Sequence, residues 1–146
     1  MYSILPSFVL GFHGCDKEIG ERILSGEDRL RPSDNKYDWL GHGIYFWENS
    51  PERALDYANS IKKNPKKCKY KINIPFVVGA IIDLGYCLNL LDSKSLQFLK
   101  HGYSLFYRRN EASGKDLPKN IPIGKQKDPL LRELDCAVIE ALHSYN

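Results

Sequence analysis

The chain has 146 residues, 42% of them hydrophobic and 27% charged, an ordinary globular balance with enough length to bury a core without disulfide or metal staples. Its formal net charge of +3 is too small to mark a partner, and its longest apolar run, residues 76–82, is too short to cross a bilayer. Residues 1–14 show neither a basic n-region nor a small-residue cleavage site, so the expectation is a soluble, cytoplasmic protein with one domain over residues 1–146.

Residues 8–13 form a short apolar run that reads as a strand stopping at Gly14. Asp16 follows as a helix N-cap, with Ile19, Ile23 and Leu24 at helical spacing and Gly26 as the stop. Residues 27–38 hold Pro32, Ser33, Asp34 and Asn35 and read as a loop. Residues 40–47 place Ile44-Tyr45-Phe46-Trp47 behind two glycines, which predicts a strand or strand-like turn. Ser50 is a good N-cap, and Pro51 stands at the first helical position, where its missing N–H costs nothing. Ala54, Leu55, Ala58 and Ile61 then form one apolar face of a helix ending near Asn64.

Residues 76–84 are rich in β-branched side chains and predict a buried strand. Asp92 or Ser93 opens a helix with Leu96, Leu99, Tyr103 and Phe106 on one stripe. Residues 111–127 have no period and read as a long loop. Asp128-Pro129 repeats the cap-plus-proline start, and Leu130, Leu134, Val138 and Leu142 share the face of a last helix. Strands and helices mix without a GxGxxG fingerprint or a P-loop, so the class is α+β.

The four cysteines, Cys15, Cys68, Cys87 and Cys136, make no CxxC pair and no zinc spacing. Reduced thiols and no metal are expected. Lys62, Lys63, Lys66, Lys67, Lys69 and Lys71 concentrate the positive charge. The run suits contact with nucleic-acid phosphates, and equally a solvated loop leading into a strand.

Two segments carry chemistry. In Gly11-Phe12-His13-Gly14-Cys15, a glycine after the histidine allows a ligand close to the backbone, whose N–H and C=O can bind it. The His13 imidazole can hold a ribose hydroxyl, or simply bond the backbone at a strand end. In Gly41-His42-Gly43-Ile44-Tyr45-Phe46-Trp47, Tyr45 offers a ring face to a planar, cationic heterocycle, whereas Phe46 and Trp47 read as core.

His-Gly on a first strand, then Gly-x-Gly-Ile-Tyr-Phe, an Asn-Ser cap and a helix resemble the poly(ADP-ribose) polymerase and diphtheria-toxin branch of the ADP-ribosyltransferases, over residues 11–58. The resemblance implies a split β-sheet with flanking helices and NAD⁺ as substrate. It implies that His13 binds the nicotinamide-side ribose, that the Gly14 backbone clamps the carboxamide and that Tyr45 stacks on the nicotinamide. Tyr57 is the candidate for a second aromatic wall, one residue further along than the polymerase pattern has it. Substitution at the anomeric carbon of the nicotinamide ribose would follow, with nicotinamide leaving.

Relatives supply a catalytic glutamate from a late strand. Here the late acids Glu133, Asp135 and Glu140 fall on a predicted helix, and Glu140 is the candidate. The resemblance therefore implies a chain short of the strands that complete the sheet, or a last strand supplied by a partner. The leading function is a mono-ADP-ribosyltransferase acting on a protein or nucleic acid, of the kind found in bacterial toxin–antitoxin or phage-defence systems, with an antitoxin as partner. The alternative is a catalytically degenerate NAD⁺-binding or interaction module. A tRNA 2′-phosphotransferase-like enzyme ranks below both, because its basic and histidine set has no match here.

Overall fold

The computed structural model describes residues 8–65, 70–122 and 129–144. Cys68, Lys66, Lys67, Lys69 and Asp128 lie outside the described residues. The chain forms two compact units: Met1–Arg31 with Ile44–Cys87, and Pro32–Gly43 with Leu88–Asn146. The described residues make an α+β protein with four helices and short antiparallel sheets.

The first unit is built on β1 (Phe8–Asp16), flanked by β2 (Trp47–Glu48) and β3 (Pro75–Asp83) in the order β2-β1-β3, all antiparallel. β1 is longer than its apolar run suggests: it continues past Gly14 to Asp16, because β3 pairs with it without a break from Phe8↔Asp83 to Asp16↔Pro75. Helices α1 (Lys17–Leu24) and α2 (Pro51–Lys63) pack on this sheet. Both begin where their caps predict, and Gly26 lies just past α1 with φ +79°, a backbone state that favours glycine.

Strand alternation puts the two helices on opposite faces of β1. A Cβ at Gly14 would collide with the Ala54 carbonyl of α2, and Ala54 and Ala58 are fully buried beside it. Small residues on both sides thus let α2 approach the sheet at backbone distance. On the other face, Cys15 lies beside Gly20 of α1, and a Cβ at Gly20 would meet the Phe76 ring. Ala58, Ile61 and Ile72 form the core under α2.

Asp16 ties this unit together. One carboxylate oxygen caps α1 through the Glu18 N–H at 3.1 Å. The other accepts the Asn73 and Ile74 N–H groups at 2.6 and 3.0 Å, just before β3. The Ile74 N–H, with those of Asn73 and Glu18, holds the carboxyl below its ordinary pKa despite the opposing effect of burial.

The second unit packs α3 (Ser93–Ala112) against α4 (Glu133–Ser144), with a hairpin of β4 (Asn120–Pro122) and β5 (Pro129–Arg132). Asp92 caps α3 through the Ser95 N–H at 3.2 Å, as predicted. The predicted stripe on α3 faces α4: Leu96, Leu99 and Tyr103 line a groove with Leu134, Val138 and Ile139, and Gly102 is the buried position, where a Cβ would clash with Leu142. Cys136, Val138, Ile139 and Leu142 are the buried residues of α4.

Three expectations are corrected. Of residues 40–47 only Trp47 is in a strand, because Gly43 exchanges backbone hydrogen bonds with Ser33 at 2.7 and 3.1 Å and Gly41 turns at φ +79°. The long loop at residues 111–127 contains β4. The last helix starts at Glu133, not at Pro129, which opens β5. Its N-terminal amides are met from a distance: Asn120 Oδ1 accepts the Leu134 and Asp135 N–H groups at 3.0 and 3.4 Å, and Asn120 Nδ2 donates to Asp135 at 2.7 Å.

Candidate functional site

His13 lies inside β1, opposite Val78 of β3, with its side chain half-buried. Its Nδ1 is 2.7 Å from the Tyr45 backbone carbonyl oxygen. A carbonyl only accepts, so Nδ1 carries the proton. In the neutral ring Nε2 is then an acceptor, and no hydrogen bond engages it among the described residues. The ring also lies 5.7 Å from the Phe46 ring, tilted by 58°. The histidine therefore joins the two segments that the sequence singles out.

The register explains how they meet. β2 pairs with β1 only at Gly11↔Glu48 and Phe12↔Trp47. Continued by two residues, that register would set Tyr45 opposite Gly14. The ladder stops first, and the Tyr45 carbonyl takes the His13 ring N–H instead. The Leu10 carbonyl accepts the Asn49 N–H at 2.8 Å, so Leu10, Phe12 and Gly14 turn their N–H and C=O groups to the β2 side. Past Phe12 that edge has no β2 partner among the described residues, so the Gly14 main chain, itself buried, lies beyond the end of the ladder.

Gly14 has two reasons to lack a side chain. Its Cβ direction is filled by α2, and its β2-side amide edge lies past the end of the ladder. The sequence suggested only the second.

Tyr57 is not brought to His13. Its ring lies 5.0 Å from that of Trp47, tilted by 44°. Trp47 pairs with Phe12 and so shares the α2 face of the sheet with Gly14, whereas His13 alternates to the other face with Phe46. Phe46, read from the sequence as plain core, is the aromatic neighbour of the histidine.

Glu140 belongs to the second unit, with α4. One of its oxygens accepts the His42 backbone N–H at 2.6 Å, and the other lies 3.4 Å from His42 Nδ1. On the same side of α4, the Cys136 thiol reaches the Asn35 carbonyl at 3.6 Å, and the Arg132 guanidinium sits 4.7 Å from the centre of the Trp39 ring. Cys136 and Glu140, one turn apart on α4, and Arg132 at the end of β5 together hold residues 35–42.

The three described cysteines, Cys15, Cys87 and Cys136, are free thiols. Burial, then the charge of Asp16, pushes the Cys15 thiol pKa up, and burial, then Asp38, does the same for Cys136. Among the described residues no three His, Cys, Asp or Glu side chains gather as a metal site. No helix there is long and apolar enough to cross a membrane. No family model matches the chain, and neither a curated protein nor a solved structure matches it.

Proposed function

We propose that the chain binds NAD⁺ and acts as a mono-ADP-ribosyltransferase, with His13, Gly14 and Tyr45 at the nicotinamide end. The observation that carries this reading is the His13–Tyr45 bond beside the unpaired edge of Gly14. A carboxamide presents one acceptor and one donor, the complement of one residue's N–H and C=O. An imidazole fixed as the Nδ1–H tautomer offers Nε2 to a ribose hydroxyl. Tyr45, whose carbonyl takes the His13 ring N–H, supplies the aromatic face for the pyridinium ring. Holding the ribose while nicotinamide departs is the protein's share of the catalysis, and the acceptor is a macromolecule.

A second reading is an NAD⁺-binding module without turnover, possessing the pocket but not the late carboxylate. The observation favouring it is that both Glu140 oxygens are engaged by His42.

Saturating NAD⁺ should raise the melting temperature of the wild-type chain by mass action. His13→Ala, which removes the ring that holds Tyr45, and Tyr45→Ala should lose that rise. Labelled NAD⁺ incubated with cell extract then separates the two readings: label on a macromolecule supports the transferase, and binding without transfer supports the module. A melting temperature unmoved by NAD⁺ would refute both.

A further inference from the structure

The outer edge of β3 is a row of main-chain groups without partners among the described residues. We infer that it docks a second copy of this chain, which adds its own β3 antiparallel across a two-fold axis at Gly79.

Register settles which groups face outward. The Leu10 carbonyl accepts the Asn49 N–H, so alternate residues Leu10, Phe12 and Gly14 point toward β2, and Val9, Gly11, His13 and Cys15 bond toward β3. Their partners in the ladder, Phe76, Val78, Ala80 and Ile82, therefore bond inward. Val77, Gly79 and Ile81 alternate with these and turn their N–H and C=O groups to the opposite edge. No hydrogen bond engages those groups among the described residues, and the order β2-β1-β3 leaves that edge outermost in its sheet.

Long edges are ordinarily protected by charge, proline or a bulge. Residues 76–82 carry no charge and no proline. The ladder with β1 runs unbroken, so no bulge turns the strand aside. Ile81 is 75% exposed, and its direct partner Leu10 is exposed beside it on the same face. Unpaired amides with an apolar flank are what an added strand requires.

Self-complementarity identifies that strand. Pairing about Gly79 sets Gly79 against its own copy and Val77 against Ile81 on both sides of the axis. All three residues face outward, so each pair exchanges both of its N–H···O bonds. Val77 and Ile81 make a β-branched cross-strand pair. Asp83 falls opposite Pro75, so no like charges meet across the new pair. Val77 pairs with Gly14, which α2 covers on the same face as Ile81. The exposed end of one sheet is thus laid beside the covered end of the other. The remaining outer strand, β2, is only two residues long, too short to propagate the pairing, so the assembly closes at a dimer.

The test follows the mass of the full chain by light scattering from dilute solution up to about 1 mM, together with residue-level amide exchange. The mass should rise from 16.8 kDa to twice that value with concentration. The Val77, Gly79 and Ile81 amides should exchange freely in dilute monomer and slow in step with dimerisation. The Val78, Ala80 and Ile82 amides, bonded to β1, should be slow throughout. Ile81→Lys, at an exposed position and with unchanged circular dichroism, should raise the concentration of half-dimerisation roughly tenfold or more, because symmetry sets the lysine against Val77 twice. Ile81→Val, which retains a β-branched pair, should shift it by less than about threefold. A chain monomeric throughout, a dimer in which the three outward amides stay fast, slow exchange there at every concentration, growth beyond two copies, or a lysine variant that dimerises like the wild type would each overturn the inference. None of these measurements involves NAD⁺, so their failure leaves the ADP-ribosyltransferase reading standing, and a missing NAD⁺ thermal shift leaves this one.

Discussion

In the first unit His13 is fixed by main-chain register: nine paired residues set β1 against β3, and the ring then reaches one carbonyl. In the second unit the sheet is a short hairpin, and Arg132, Cys136 and Glu140 hold a preceding segment by side chain. The difference bears on chemistry. A side chain placed by its backbone keeps polar atoms for a ligand, as His13 keeps Nε2. A side chain that is itself the fastener, as Glu140 is for His42, has its polar atoms engaged already.

If the first unit depends on main-chain fit, its most damaging change is the smallest. Gly14→Ala adds one methyl group against the Ala54 carbonyl, and no side-chain rotation relieves a backbone clash. Stability should fall by more than about 3 kcal/mol. The Cys15 thiol, buried beneath α1, should become open to a thiol reagent that otherwise reaches only exposed groups. A wild-type melting temperature for this variant would show that the sheet and α2 are not as tightly joined as the main chain implies.

Asp16→Ala tests the same unit through hydrogen bonds. It removes a helix cap and the acceptor for the Asn73 and Ile74 amides, and should cost about 2 kcal/mol near neutral pH. The folded carboxyl is held below its ordinary value of 3.8, so its contribution is complete above that value and disappears as pH falls through the lower folded value. Denaturant titrations of wild type and variant should therefore converge toward acid. A gap that stays constant down to the most acidic pH would show that the charge plays no part.

Much of the first unit was legible in the sequence because its signals are local. Asp16, Ser50 and Pro51 start helices from adjacent positions, and Ala54, Ala58 and Ile61 face inward at helical spacing. The second unit was read less well because its decisive contacts are distant in the chain. The α4 amides are met by Asn120, and Gly43 pairs with Ser33 where local propensity favours a strand. At the candidate site, the order of His13, Gly14 and Tyr45 was visible in the motifs, but the placement of Tyr57 was not. Which face of the sheet it serves depends on the Phe12↔Trp47 register, which no residue near Tyr57 encodes.

The smallest effect expected is at Glu140, and the pair of substitutions there matters more than its size. The side chain is partly exposed, so its pairing with the His42 ring is screened and counts as an ion pair only when that ring is protonated. What remains is the 2.6 Å bond from the His42 N–H. Glu140→Ala removes its acceptor and should cost about 1 kcal/mol. Glu140→Gln retains a carbonyl oxygen in the same position and should cost about half of that or less. Hydrogen exchange at the His42 amide should follow the same order, faster in the alanine variant and near wild type in the glutamine variant. If glutamine were as disruptive as alanine, the charge rather than the hydrogen bond would hold the segment. The contrast between a unit fastened by main chain and one fastened by side-chain hydrogen bonds would then give way to one based on electrostatics.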